Sequence, residues 1–218
     1  MDSGSPGYHI CWIWKQESNQ RMGYHCSTEQ RGMLVHSSIA VTDQGMPLGL
    51  LYQETHTRDT RRDESGTKDE KRSRPIEEKE SCRWVHTMNK THQRIPKNIP
   101  LLTMCDREGN FYEFFSEAAD LEENFLVRIV QTRMVDDGKK IFNELRQSPV
   151  AGGIAVRMSR NTKEHIPSRN VKMDCHYKEA VVRCPKMKKE KHLREKLTLT
   201  AIYVHESGKR ESNGFCLQ

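Results

Sequence analysis

The stretch Ile99–Gln131, IPLLTMCDREGNFYEFFSEAADLEENFLVRIVQ, predicts a strand, a helix and a second strand in succession. Ile99–Asp106 is an apolar run closed by charged residues, which is typical of a buried strand. Asn110–Leu121 offers an N-cap and apolar residues at helical spacing, and Asn124–Gln131 is again strand-like. This order predicts a βαβ unit. The CDRE segment, Cys105–Glu108, then lies at the C-terminal end of a central strand, where ligands gather in open α/β sheets.

The residues before this unit predict a β-hairpin and a helix. Gly32–Thr42 is rich in β-branched and apolar residues without helical period, and a DQG turn follows it. Met46–Thr55 is the expected antiparallel partner. The segment Pro75–Ile95 predicts a helix with acidic residues in its first turn, and Trp84 and Met88, four residues apart, are expected on its buried face.

The residues after the unit predict a small antiparallel β subdomain. Lys140–Gln147 forms a short predicted helix, closed by Ser148-Pro149. Three strand-like runs, GGIAVRMSR, KEAVVRC and KLTLTAIYVHE, then alternate with polar turns. Gly152-Gly153 is too short to be a phosphate-cradling loop and is expected to open a strand. We expect no small-molecule cofactor.

Composition excludes several classes of protein. The 218 residues have a mean hydropathy of −0.85, and no apolar run approaches the roughly 18–20 residues of a membrane span. The acidic start, MDSGSPGYHICWIWKQES, is unlike a secretion signal. Seven cysteines, an odd number without a C-x-x-C pair, favour reduced thiols. We therefore expect a soluble, cytoplasmic protein with no membrane partner.

Charge is concentrated in two segments of opposite character. Arg58–Arg83 holds nine basic and eight acidic residues, which predicts a solvated loop. Arg183–Lys196, RCPKMKKEKHLREK, holds seven basic and two acidic residues, an excess of five in a chain of net charge +6. This basic cluster, between the last two predicted strands, is suited to phosphate backbones; a solubilising hairpin tip without a partner is the alternative.

Three blocks of the chain resemble bacterial insertion-sequence transposases of the DDE type, the IS-four group. They are QRGMLVHSSIAVTDQGMPLGLLYQE (Gln30–Glu54), LLTMCDREGNFYEFF (Leu101–Phe115) and ENFLVRIVQTR (Glu123–Arg133). The resemblance covers roughly Gly23–Arg210. It implies an RNase H-like mixed sheet with flanking helices, followed by a β-rich insertion subdomain.

The resemblance also implies chemistry and partners. Such enzymes hold two Mg²⁺ ions with two Asp and one Glu, and they cut and rejoin DNA by in-line displacement at phosphorus. Asp106 matches the second acidic position, as a catalytic residue and metal ligand. Arg128 and Arg133 match basic positions expected against DNA, the alternative being surface ion pairs with the acidic loop Asp120–Glu123. In the basic cluster, Lys186, Lys188 and Lys189 are the expected DNA contacts.

Two of the three catalytic acids that the resemblance implies have no counterpart in this sequence. No aspartate lies between Asp2 and Asp43, where the first ligand is expected, and neither Tyr177 nor Tyr203 begins the expected Y-x2-R-x3-E-x6-K signature. We therefore expect an incomplete core. The expected division is a non-homologous leader at 1–22, a partial core at 23–135, the β-rich insertion at 136–210 and a non-homologous tail at 211–218.

Two functions stay open on this basis. The first is a truncated transposase fragment that no longer cleaves or transfers strands, because one aspartate does not hold two metals. The alternative is a non-catalytic fragment that binds DNA or inhibits full-length transposase. A zinc site assembled from Cys82, His86, Cys175 and His176 is a weaker candidate, since the spacing matches no familiar zinc motif.

Overall fold

The computed structural model describes the residues of eight stretches and two single positions. The chain divides into two compact units. The N-terminal unit comprises Asp2–Pro100 with Met187–Glu190, and the C-terminal unit comprises Leu101–Lys186 with Lys191–Gln218. The described residues are 9–11, 32–57, 67–130, 132–133, 135, 138–162, 165–186, 188, 192–208 and 213–217.

The N-terminal unit contains a three-stranded antiparallel sheet in the order β1-β2-β3. Its strands are β1 (His9–Cys11), β2 (Met33–Val41) and β3 (Pro47–His56). The predicted hairpin is confirmed: β2 pairs with β3, and Gly45 in the turn has a φ of 81°, which favours glycine. The short β1 pairs antiparallel with the start of β2.

Two α-helices complete the described part of this unit. Helix α2 (Cys82–His92) buries Trp84 and Met88, each 2% exposed, as predicted. It begins later than the predicted start at Pro75, because a separate 3₁₀ turn at Ile76–Glu78 holds the acidic residues that were expected in its first turn. Helix α1 (Lys68–Ser73) lies inside the segment predicted to be a loop, and that prediction is wrong there. A capping box explains the helix, because Thr67 accepts from the Glu70 backbone N–H while the Glu70 carboxylate accepts from that of Thr67.

The C-terminal unit is built on one mixed six-stranded sheet in the order β4-β5-β9-β8-β7-β6. The parallel pair β4-β5 joins a run of antiparallel strands. The strands are β4 (Leu102–Cys105), β5 (Asn124–Ile129), β6 (Gly152–Met158), β7 (Arg169–Arg183), β8 (Lys196–Glu206) and β9 (Asn213–Leu217). The predicted α/β class with a mixed sheet is confirmed, and so are the antiparallel strands after the βαβ unit.

One face of this sheet is covered by helices α3 (Tyr112–Asp120) and α4 (Ile141–Gln147). Phe114 and Phe115 of α3 are fully buried and contact Phe125 of β5. Each such ring contributes roughly 1.5–3 kcal/mol when it is removed from water. The α3 and α4 helices and the β4-α3-β5 order match the sequence prediction, although the N-cap position is taken by Phe111 rather than Asn110.

The position of β4 differs from the prediction. It is an edge strand, paired only with β5 among the described residues, and its side chains Leu102 and Met104 are 49% and 40% exposed. Of its four residues only Cys105 is buried. On its other side β5 pairs with β9, so residues 213–217 form an interior strand of the sheet.

The described strands thus form two sheets, and the β2-β3 hairpin is not hydrogen-bonded into the sheet that carries Asp106. Among the described residues, no helix has both the length and the apolar composition needed to cross a membrane.

Candidate functional site

Asp106 lies where the sequence predicts it, directly after β4 at the C-terminal end of the parallel pair. Its carboxylate caps the 3₁₀ turn Arg107–Gly109, accepting from the Glu108 backbone N–H at 2.8 Å. The side chain is half-buried. One carboxylate oxygen therefore holds the turn that connects β4 to α3, which is a common structural task for an aspartate at a strand end.

The turn after Asp106 is tight because it packs on β4 itself. A Cβ atom at Gly109 would lie 2.8 Å from the Cβ of Cys105, closer than real contacts allow. Burial raises the pKa of the Cys105 thiol well above its usual range, and the charge of Asp106 adds to the effect. Cys105 is therefore a neutral core residue rather than a nucleophile.

Arg133 is a structural residue of the same edge of the sheet. Its guanidinium donates to Asn110 Oδ1 at 2.6 and 3.1 Å and to the Asn110 carbonyl at 2.8 Å. It also lies over the Phe115 ring, 5.2 Å from the centroid. Burial lowers its pKa, and the charge of Glu113 opposes that shift. Hydrogen bonds to Asn110 thus take the place of the ion pair with Asp120–Glu123 considered above.

Arg128 has a different environment from Arg133. It is exposed near the end of β5, between the buried residues Val127 and Ile129, so it projects from the face of the sheet that α3 does not cover. Its neighbour in the register is Cys216 of β9. Burial raises the pKa of the Cys216 thiol, and the positive charge of Arg128 counteracts this. The two predicted arginines therefore do not form one surface.

The acidic residues near β4 serve the fold. Glu123 is buried and accepts a hydrogen bond from the Thr103 hydroxyl, and Glu113 is buried on α3. Among the described residues, no group of three or more His, Cys, Asp or Glu side chains converges in a way that could hold a metal ion. The described side chains around Asp106 do not supply the three carboxylates that the resemblance implies for binding two Mg²⁺ ions.

The basic cluster connects β7 to β8, as predicted. Lys186 is exposed, Lys188 is half-buried, and Lys189 lies outside the described residues. Arg194 near its end is anchored to α3: its Nε donates to the Asp120 carboxylate at 2.7 Å, and its Nη2 donates to the Ala119 carbonyl at 3.1 Å. A cation at these last carbonyls is favoured by the helix dipole.

The two histidines of the weaker zinc candidate have other partners. The Nδ1 of His86 is 2.7 Å from a Glu54 carboxylate oxygen. His176 is buried, its Nδ1 is 2.8 Å from the Ser148 carbonyl, and its Nε2 is 3.1 Å from the Nε2 of His205. No motif in the sequence points to His205. The signal that could have found it is a histidine in each of two neighbouring predicted strands, but their register was needed to pair them.

No protein-family model matches the chain, and no curated protein matches it either.

Proposed function

We propose that this chain is related to DDE-type insertion-sequence transposases and binds DNA through the basic cluster without cleaving it. The carrying observation is the concentration of positive charge in the β7–β8 connection, where seven basic residues stand against two acidic ones. The relation to transposases is supported by the three sequence blocks and by Asp106, which follows the first strand of a parallel βαβ unit. The RNase H-like arrangement and DNA as partner are parts of this proposal.

Binding without sequence readout follows from the chemistry of the cluster. Lysine side chains on a connection between strands reach phosphate oxygens as point charges, and affinity comes from the release of counterions. Arg194 anchors the end of the cluster to α3, while Lys186 is exposed to solvent. The fixed end of the basic cluster and its exposed lysine support an electrostatic binding surface for the phosphate backbone of a DNA duplex.

We exclude DNA cleavage from the proposed function because of the metal-binding carboxylates that cleavage requires. A two-metal phosphoryl transfer needs several carboxylates that converge on one site. One carboxylate oxygen of Asp106 accepts a hydrogen bond from the Glu108 backbone N–H. Among the described residues, no other acidic side chain forms a metal-binding group with Asp106. No step of the proposed function therefore runs through Mg²⁺.

The test is the salt dependence of DNA binding. Fluorescence anisotropy of a labelled duplex is measured against salt for the chain and for a Lys186→Ala/Lys188→Ala/Lys189→Ala variant. Each lost phosphate contact should lower the slope of log K against log salt by about 0.9, so the variant should lose about 2–3.

The matched control removes three positive charges that lie outside the basic cluster. Arg157, Arg160 and Lys172 are all exposed, and their replacement by alanine lowers net charge equally. The control variant should keep the slope of the parent chain. Equal slopes for the parent and the Lys186/Lys188/Lys189 variant would refute DNA binding by the basic cluster.

A further inference from the structure

The face of the six-stranded sheet that α3 and α4 do not cover carries apolar side chains on every strand. Side chains alternate between the two faces of a strand, so the residues next to the buried ones point away from the helices. One apolar residue from each strand, in the order of the sheet, is Met104, Leu126, Cys216, Ile202, Met173 and Ile154. Met104 and Ile154, on the two edge strands, are 40% and 56% exposed. An exposed apolar surface of this width is typical of an interaction site.

A row of four side chains crosses this face from β5 to β7. The strand register places Arg128 beside Cys216. Cys216 in turn lies beside Ile202, and Ile202 lies beside Tyr177. Arg128 is exposed at one end of the row, and Tyr177 is 62% exposed at the other. Three strand spacings, about 14 Å, separate the two ends, which is too far for the guanidinium to lie over the ring within one copy of the chain.

Glu179 adds a negative charge next to Tyr177. It is exposed, and it lies two residues further along β7 and therefore on the same face. Strand β7 thus presents an aromatic ring and a carboxylate, whereas β5 presents the guanidinium of Arg128. A guanidinium binds both kinds of group. The two halves of the face are therefore complementary to each other.

We propose that this face binds a second copy of the chain, with the two sheets packed face to face. In the sheet order, β5 and β7 lie at equal distances from the line between β9 and β8. A two-fold axis along that line places Arg128 of each copy opposite Tyr177 and Glu179 of the other. Aligned sheets pack at an angle of about 30°, which shifts the opposed rows by about 3–4 Å at this distance from the axis. An arginine side chain is long enough to span that shift.

The size of the face suits a reversible dimer. Six strands make it about 24 Å wide, and the rows from Leu126 to Ile154 make its apolar part about 20 Å long. Two copies then bury about 1,000 Å², close to the lower limit of specific interfaces. We therefore expect a dimer with a Kd in the micromolar range. This surface does not include Asp106 or the basic cluster, so it is independent of the proposed DNA binding.

Sedimentation velocity of the full, reduced chain at about 1–100 µM tests the proposal. The mass of the parent should rise with concentration from 25.4 kDa towards twice that value. Arg128→Glu and Glu179→Arg should each raise the Kd at least tenfold, because each places like charges opposite one another at two symmetric positions. Tyr177→Ala should raise it about 5–30-fold through loss of the cation–π contact. Arg157→Glu is the matched control, because Arg157 is exposed on the opposite face of β6, and it should dimerise as the parent does.

A mixture of the two charge-reversal variants distinguishes a lost contact from a damaged fold. In a mixed dimer the introduced glutamate faces the introduced arginine, and native Arg128 of one copy faces native Glu179 of the other. The Kd of the mixture should return close to that of the parent. A parent that stays monomeric throughout the concentration range would overturn the proposal and assign the face to a different partner. A mixture that associates no more tightly than either variant alone would overturn the two-fold arrangement.

Discussion

The Arg194 guanidinium binds the Asp120 carboxylate at 2.7 Å and so ties one end of the basic cluster to the C-terminal end of α3. The backbone of Arg194 is held as well, because its N–H donates to the Ser116 hydroxyl and its carbonyl accepts from the Tyr112 hydroxyl. Arg194 thus orients the cluster while its own charge is used within the protein.

Arg194→Ala should therefore separate stability from DNA binding. The ion pair is about half-exposed and is worth about 0–1 kcal/mol, so urea denaturation should show a loss of that order. The slope of log K against log salt for duplex DNA should match that of the parent. A slope lower by about 0.9 would show instead that Arg194 contacts a phosphate.

Arg133→Ala should destabilise the chain more than Arg128→Ala. The first change removes the hydrogen bonds to Asn110 and the contact with the Phe115 ring, for an expected cost of about 2–3 kcal/mol. The second removes an exposed side chain and should change stability by less than about 0.5 kcal/mol. Urea denaturation of both variants measures the difference, and equal losses would contradict the structural role of Arg133.

Gly109→Ala tests the turn that holds Asp106. The new methyl group would lie 2.8 Å from the Cβ of Cys105, so overpacking should cost about 1–3 kcal/mol. Gly152→Ala is the control, because a Cβ there meets no heavy atom within 4 Å. Thermal unfolding should show a lowered midpoint for Gly109→Ala alone. Two unchanged midpoints would argue against the close packing of this turn.

Tyr112 gives the fold a dependence on alkaline pH. Burial raises the pKa of its hydroxyl from 10.0 to about 12, while the unfolded chain ionises near the ordinary value. The folded state holds this proton more tightly, so the contribution to stability is complete below pH 10 and is lost as pH rises towards 12. Ultraviolet titration of the six tyrosines should show a late phase whose amplitude falls by one tyrosine in Tyr112→Phe. An unchanged amplitude in that variant would contradict the raised pKa of Tyr112.

Elements defined by local pattern could be predicted from the sequence. Phe114, Phe115 and Ala118 mark one face of α3 by their spacing, and all three are fully buried. Helix α1 was missed although its T-x-x-E capping box, Thr67 to Glu70, is visible in the sequence, because the balance of charges in that segment favoured a loop.

Features that depend on distant pairing could not be predicted. Strand β5 pairs with β9 in register from Val127 opposite Leu217, and this pairing makes β4 an edge strand. No local pattern around Asp106 encodes that choice. The contact between His176 and His205 likewise depends on the register of two strands, and the bonds from Arg133 to Asn110 depend on how two loops fold.

Incubation of supercoiled plasmid with the full 218-residue chain and Mg²⁺ at low salt distinguishes DNA binding from DNA cleavage. We expect the chain to retard the plasmid on a gel and to leave it supercoiled, because Asp106 lacks partner carboxylates among the described residues. Mg²⁺-dependent nicking that Asp106→Ala abolishes would refute binding without cleavage and identify an active nuclease.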